Sequence, residues 1–372
     1  MEKEYVLVSG ILKLDKTNKR NIDAYISLFK WIYDLNIPTI LYVDPSVADR
    51  IKPRKKLHII PTETNSLPNI KKISSLECPD NIKIPSNTQN TPYYFGVISS
   101  KMYLLEQSKK YIIENIPEYE NKHLVWIDAG ISHVGTIEKE EFINHMQYII
   151  HDKINLTMMK ATSDSEISNL PLFLSSNRGK IAGGLITVPW NKITWFSNEI
   201  TNLFDYSINE LKQYCLEEQF FVILSLKHKS EFKFIYSDYY VLYNLKYIKV
   251  KIQTVINNLT YCSSNGLLDI GIDILYSLIK SIDKGRSNVT RRQVCKILLG
   301  GFIISYHRDK VLCKKIGELI HYLYHHQSEC KVIIKEDVYS KTNLKFIDID
   351  LDIPSNTDVL NEEYSSYIWS AL

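Results

Sequence analysis

The 372-residue sequence has few cysteines, and none of them belongs to a C-x-x-C pair. The six cysteines are widely spaced, whereas a disulfide-stabilised domain carries them at high density in a short chain. We therefore expect buried free thiols in a reducing compartment, with structural bridges as the alternative. Glycine and proline are also scarce, at 13 and 12 residues, which excludes collagen-like and low-complexity chains.

Long hydrophobic runs are missing as well. No stretch approaches the roughly 18–20 apolar residues that a membrane helix needs, and the chain starts with acids at Glu2 and Glu4, unlike a signal peptide. These features predict a cytoplasmic chain without a transmembrane segment, either free or peripherally associated with a membrane. The net charge of +3 gives no indication of nucleic-acid binding.

Composition divides the chain into three parts. Hydrophobic residues make up 45% of the sequence, as in an ordinary folded protein, and the length predicts about two domains. Residues 1–250 mix strand and helix patterns, residues 251–345 have apolar residues at helical spacing, and residues 346–372 form an acidic tail. The helical region is expected either to complete the pocket that binds an acceptor substrate or to mediate homo-oligomerisation.

The first fifty residues predict a strand, a helix and a second strand. Tyr5–Val8 is a short apolar run ended by Ser9 and Gly10, and Thr39–Val43 is another, ended by Asp44. Such a unit is a right-handed crossover between parallel strands, and open α/β sheets bind ligands beyond the carboxyl ends of their strands. Ser9, Gly10 and Asp44 are therefore candidate nucleotide-binding residues.

The strongest candidate for chemistry is Asp128. Residues 62–92, rich in Pro, Asn, Ser and Thr, predict an irregular excursion, and a helix is predicted at about 96–116. The apolar strand His123–Ile127 then ends on Asp128, followed by Ala129 and Gly130. A carboxylate at that position suits Mg²⁺ or Mn²⁺, whereas the alternative is an aspartate that caps the following turn.

The segment W-I-D-A-G at 126–130, preceded by a helix that carries Ser99, Ser100 and Lys101, resembles the HtrL/YibB family of glycosyltransferase-like proteins. Members of that family have a similar W-x-D-x-G at a strand end. Across residues 5–245 the order of elements is also similar to that of GT-A nucleotide-sugar transferases. These have a βαβ nucleotide-binding half, a strand ending on an acidic metal motif, a glycine-containing strand, and an acid-rich segment before a helix.

The resemblance implies an α/β, GT-A-like fold with a mixed, mostly parallel sheet flanked by helices, followed by a C-terminal helical region. It implies transfer of a sugar from a nucleoside diphosphate sugar, chiefly a UDP-sugar, to a glycan or protein acceptor with help from Mn²⁺ or Mg²⁺. The usual motif is D-x-D, but Gly130 stands at the position of the second acid. Either Asp128 alone holds the metal together with the donor diphosphate and water, or His133 or His307 completes the site. The alternative function is that of a catalytically degenerate scaffold.

Further candidates follow from the same resemblance. Glu217 and Glu218 correspond to the acceptor side, where Glu218 is the preferred general base, although acids also favour the first turn of any helix. Gly183 and Gly184 either let a substrate approach the backbone or mark a bulge.

Three basic residues are candidates for contact with the donor phosphates, or else surface charges. They are Lys101, Arg178 and Lys180.

Tyrosine is frequent, with 25 residues. Tyr93 and Tyr94 are among those expected to border the proposed substrate cleft, where a tyrosine ring stacks on a base or a sugar.

Other enzyme classes lack their motifs in this sequence. There is no G-x-G-x-x-G and no G-x-x-x-x-G-K-[ST], which argues against dinucleotide oxidoreductases and P-loop NTPases. G-x-S-x-G and H-E-x-x-H are absent too, so serine hydrolases and zinc proteases of the zincin type have no support.

Overall fold

A computed structural model describes residues 4–14, 21–76, 81–85, 91–134, 136, 138–150, 152–236 and a few positions between 255 and 297. The chain divides into two compact units: Met1–Ile235 with Leu242–Asn244, and Tyr236–Val241 with Leu245–Leu372. In the second unit, the described positions 257–259 and 270–272 are helical. His307 and the acidic tail lie outside the described residues. No helix in the described part of the chain is long and apolar enough to cross a membrane.

Seven strands in the described residues form one sheet in the first unit. They are β1 (Tyr5–Ile11), β2 (Thr39–Val43), β3 (Leu57–Pro61), β4 (His123–Ile127), β5 (Ile154–Met158), β6 (Ile181–Val188) and β7 (Phe232–Tyr236). Their spatial order is β3-β2-β1-β4-β6-β5-β7. The pairs β1–β2, β2–β3 and β1–β4 are parallel, whereas β6 runs antiparallel to both β4 and β5. The prediction of an α/β fold with a mixed, mostly parallel sheet is confirmed.

Eight α-helices are described in the same unit. They are α1 (Ile22–Asp34), α2 (Pro68–Ser74), α3 (Pro92–Ile98), α4 (Lys101–Asn115), α5 (Lys139–Ile149), α6 (Leu170–Leu174), α7 (Ile193–Asn209) and α8 (Glu217–Lys227). Helix α4 packs on β1, β4 and α7, and α8 packs on β6 and α7. Strands β1, β2, β4 and β6 are buried along nearly their whole length because protein covers both faces of the sheet, which explains their continuous apolar sequences.

Three details differ from the sequence predictions. Strand β1 does not end before Ser9 and Gly10 but includes them, because both pair with β2. The excursion at 62–92 is not irregular throughout, since α2 begins at Pro68, a residue that suits the first turn of a helix. The single helix predicted at 96–116 is two helices, α3 and α4, separated by Ser99 and Ser100.

Sheet topology determines which residues meet at one edge. The parallel strands β1, β2 and β4 end at the same edge of the sheet. Because β6 is antiparallel to β4, its amino-terminal half lies at that edge as well, with Leu185 opposite Ile127. The backbone N–H of Asp128 then donates to the Gly184 carbonyl oxygen at 2.9 Å. Asp128 and the glycine pair are therefore neighbours through strand pairing alone.

Candidate functional site

Lys101, the first residue of α4, lies at the centre of the candidate site. Its Nζ is 2.7 Å from Glu217 Oε1 and 3.0 Å from Asp128 Oδ1. The same nitrogen donates to the Gly183 carbonyl oxygen at 3.2 Å. The Lys101 side chain is only 9% exposed, so its ammonium lies in the protein interior. This excludes the alternative interpretation of Lys101 as a surface charge.

Asp128 connects this interior group to solvent. Trp126 lies two residues earlier on β4, on the same side of the strand, and its indole Nε1 donates to Asp128 Oδ1 at 2.7 Å. The Asp128 side chain is 40% exposed, whereas Trp126 is buried. Trp126 and Lys101 thus fix the orientation of a carboxylate whose outer part is accessible to a ligand.

The first turn of α8 supplies two more carboxylates. Glu217 is buried and paired with Lys101, while Glu218 is half-buried and accepts the Gly183 N–H at 2.8 Å through Oε1. The partial positive charge of a helix N-terminus favours acids at this position. Lys101, Asp128, Glu217 and Glu218 are called the carboxylate cluster below.

Burial and charge shift the pKa values within the carboxylate cluster. Burial raises the pKa of Glu217, and the Lys101 ammonium offsets part of that increase. Burial, with the neighbouring charge of Glu217, raises the pKa of Glu218 to about 8. Burial acts to lower the pKa of Lys101, but the charges of Asp128 and Glu217 raise it above its usual value, so the ammonium stays protonated.

The raised pKa of Glu218 predicts a pH-dependent stability. Between its ordinary value of 4.5 and about 8, the folded state holds a proton that the unfolded state has released. The contribution of Glu218 to the free energy of unfolding is therefore highest at low pH and is lost as pH rises through this window. We expect Glu218→Gln to reduce this decline, measured by urea denaturation at several pH values. Identical pH profiles for the two proteins would contradict the burial of this carboxyl.

Gly183 makes the close packing of the carboxylate cluster possible. A Cβ atom at position 183 would lie 2.8 Å from Glu217 Oε1 and 3.1 Å from Glu218 Cγ. The pairing of β5 with β6 also shifts between Leu156 and Thr157, so three residues of β6 from Gly183 onward form an irregularity. The space beside Gly183 therefore holds glutamate side chains, and the strand pairing is irregular at the place where the sequence offered a bulge as the alternative.

The candidate residues on β1 and β2 have structural partners. Ser9 is buried, and its Oγ donates to the Ile127 carbonyl oxygen at 2.7 Å. Gly10 faces Trp126, because a Cβ there would lie 3.5 Å from the indole. Asp44 caps the turn after β2 by accepting from the Ser46 N–H at 3.0 Å. All three lie at the same edge as Asp128 but make no described contact with the carboxylate cluster.

Two predicted phosphate-binding side chains lie elsewhere. Arg178 donates to the backbone carbonyl oxygens of Leu172 and Phe173. Lys180 pairs with Glu166 at 2.9 Å. Of the three basic candidates, only Lys101 reaches the carboxylate cluster.

The described residues do not fit a divalent cation. The imidazole Nδ1 of His133 contacts the Gly130 carbonyl oxygen, and His307 lies outside the described residues. No group of three or more His, Cys, Asp or Glu side chains within the described ranges could hold a metal. Both carboxylate oxygens of Asp128 lie within 3.2 Å of the Lys101 ammonium, which repels a second cation.

Two residues that the sequence analysis named have a role in the structure that the sequence did not predict. The first is Trp126, the tryptophan of the W-I-D-A-G segment, whose indole orients Asp128. The second is Tyr94 on α3, which the sequence assigned to the cleft only as a stacking ring. Burial, followed by the charge of Glu217, raises the pKa of its phenol.

Protein-family models and curated proteins give no relative of this chain. No protein-family model matches the chain, and no curated protein matches it. The interpretation of the site therefore rests on the carboxylate cluster and on the strand ends that surround it.

Proposed function

We propose that the protein is a glycosyltransferase, which moves a sugar from a nucleoside diphosphate sugar, chiefly a UDP-sugar, to a hydroxyl group of a glycan or protein. The observation that carries the proposal is the Asp128 carboxylate. It is 40% exposed at the carboxyl end of β4, is oriented by Lys101 and Trp126, and lies within the same cluster as Glu218. Sites of this kind form where open α/β sheets bind ligands.

The order of elements supports a GT-A-like interpretation. The βαβ unit β1-α1-β2 comes first, and β4 then ends on Asp128. Strand β6 carries Gly183, and α8 begins with Glu217 and Glu218. This is the sequence of features that the resemblance to nucleotide-sugar transferases implies.

In the proposed reaction, the bond between the anomeric carbon and the donor diphosphate breaks, and the diphosphate leaves with the electron pair. The acceptor oxygen bonds to the anomeric carbon and gives its proton to Glu218, the general base of an inverting reaction. Asp128 stabilises the positive charge that develops on the sugar. If the outcome is retaining, Glu218 positions the substrate instead.

A second candidate function is a binding or scaffold protein with a transferase-like fold. Gly130 at the position of the second acid of D-x-D favours it, because one carboxylate of the usual motif is missing. A scaffold of this kind would not turn over a sugar donor.

Nucleotide-sugar binding separates the two functions. We expect at least one UDP-sugar to raise the melting temperature of the full chain in a thermal-shift panel of nucleoside diphosphate sugars, because a ligand that binds only the folded state stabilises it. The same donor should be hydrolysed slowly without an acceptor, with release of UDP. Stabilisation without UDP release would favour the scaffold, and a response to no donor would refute the transferase proposal.

A further inference from the structure

We propose that the Lys101 ammonium replaces a divalent cation in the carboxylate cluster, so that the site acts on sugars without a bound metal. The inference deepens the proposed function and rests on it in one respect, that the carboxylate cluster is the catalytic site. It concerns the atoms that surround the two carboxylates of Asp128 and Glu217, and it predicts which ions and ligands they accept.

Asp128 at the end of β4 and Glu217 at the start of α8 present their carboxylates to one point in the site. Lys101 Nζ already lies there, 3.0 Å from Asp128 Oδ1 and 2.7 Å from Glu217 Oε1. The Gly183 carbonyl oxygen provides a third acceptor at 3.2 Å. An ammonium group has three N–H donors, so these three protein groups satisfy it completely.

A lysine at the first position of a helix is opposed by the helix dipole, which favours negative charge there. Helix α4 has no acidic residue in its first turn that would compensate. The two carboxylates from β4 and α8 are therefore what stabilises the buried ammonium. Because removing one partner from such a buried pair is costly, Lys101 is not expected to move aside for an incoming metal ion.

The surroundings of Asp128 limit the ligands that its carboxylate can accept. Trp126 and Lys101 already donate to this carboxylate, which leaves acceptor capacity only on its exposed side. Without a metal as a bridge, a phosphate facing this carboxylate would be repelled by its charge. A sugar hydroxyl donates a hydrogen bond to the same oxygen without that cost. We therefore assign to Asp128 the hydroxyl groups of the sugar that the donor transfers.

Titration of the full chain with Mn²⁺, followed by electron paramagnetic resonance with and without UDP, tests the inference. We expect no Mn²⁺ binding that depends on Asp128 in the wild-type protein. We expect Lys101→Met to gain an Mn²⁺ site, which Lys101→Met/Asp128→Asn loses again. Lys110→Met is the control, because it removes an exposed ammonium from the same helix and should bind no more Mn²⁺ than the wild type.

Two results would overturn the inference. The first is Mn²⁺ bound by the wild-type protein and lost in Asp128→Asn; the second is a folded Lys101→Met that binds no more Mn²⁺ than the wild type. If Lys101→Met does not fold, the comparison of the wild type with Asp128→Asn decides alone. If the wild type and Asp128→Asn bind the same amount of Mn²⁺, that Mn²⁺ lies outside the carboxylate cluster, and the result agrees with the inference. A chain that binds no UDP-sugar refutes the proposed function but leaves the Mn²⁺ result unchanged, so the two failures are distinguishable.

Discussion

Replacing Lys101 by methionine is expected to lower the free energy of unfolding by about 3–5 kcal/mol, the range for breaking a buried ion pair from one side. Methionine keeps much of the apolar stem but removes the ammonium. Glu217, which is only 5% exposed, would then lose the cation 2.7 Å from its Oε1. The loss should increase as pH rises, because burial already raises the pKa of Glu217 and a protonated carboxyl needs no counter-charge.

Urea denaturation of two further variants makes this prediction specific. Lys110→Met removes a lysine from the same helix whose Nζ is 3.6 Å from Glu106 and whose side chain is 57% exposed, so we expect a change of about 0.5 kcal/mol or less. Lys101→Met/Glu217→Gln removes both charges and should recover part of the loss. Equal effects of Lys101→Met and Lys110→Met would show that the buried pair contributes nothing.

Local sequence patterns were sufficient to predict the strands that position Asp128. Runs such as Thr39–Val43 and His123–Ile127 are apolar throughout because both faces of their strands are buried, and that pattern is visible without a structure. Asparagine is also a residue type that favours helix N-caps, and the Asn21 side chain accepts from the Ala24 N–H at 2.9 Å. The fold class and the strand end at Asp128 followed from such segments.

Strand direction and order were not readable in the same way. The sequence of Ile181–Val188 is typical of a buried strand. An apolar segment does not indicate strand direction, so it does not predict that this strand lies antiparallel between β4 and β5. The segment Ile154–Met158, which forms β5, lacks a continuous apolar run that would predict a buried strand. Its polar residues Asn155 and Thr157 are buried within the sheet, so tertiary packing overrides the pattern that polar residues usually indicate.

The central contact of the site joins residues far apart in sequence. Lys101 and Glu217 are separated by 217 − 101 = 116 positions, and no local pattern links them. The one local anomaly is a lysine that opens a helix against its dipole. The sequence predicted Lys101 inside a single helix at 96–116, so this anomaly became visible only where the structure divides that helix at Ser99 and Ser100.

Replacing Asp128 by alanine or asparagine is expected to lower donor hydrolysis and sugar transfer by at least about 100-fold, the scale of a misplaced reactant. The change should leave the fold intact, because Asp128 is 40% exposed and Lys101 keeps Glu217 as a partner. Asparagine is the sharper substitution, since its carbonyl oxygen still accepts from the Trp126 indole while the charge is gone. UDP release and urea denaturation measure the two effects separately.

Asp164→Asn is the matched control for this prediction, because it neutralises an aspartate that is 65% exposed and paired with Lys229 away from the carboxylate cluster. It should leave turnover unchanged.

Glu218→Gln separates the roles of the two carboxylates. If Glu218 is the base, wild-type turnover rises with pH toward its pKa of about 8, and the variant loses that rise. Asp128→Asn should keep the pH profile at a lower rate, because it removes charge stabilisation and leaves the base in place. Unchanged turnover in Asp128→Ala would refute the assignment of the site.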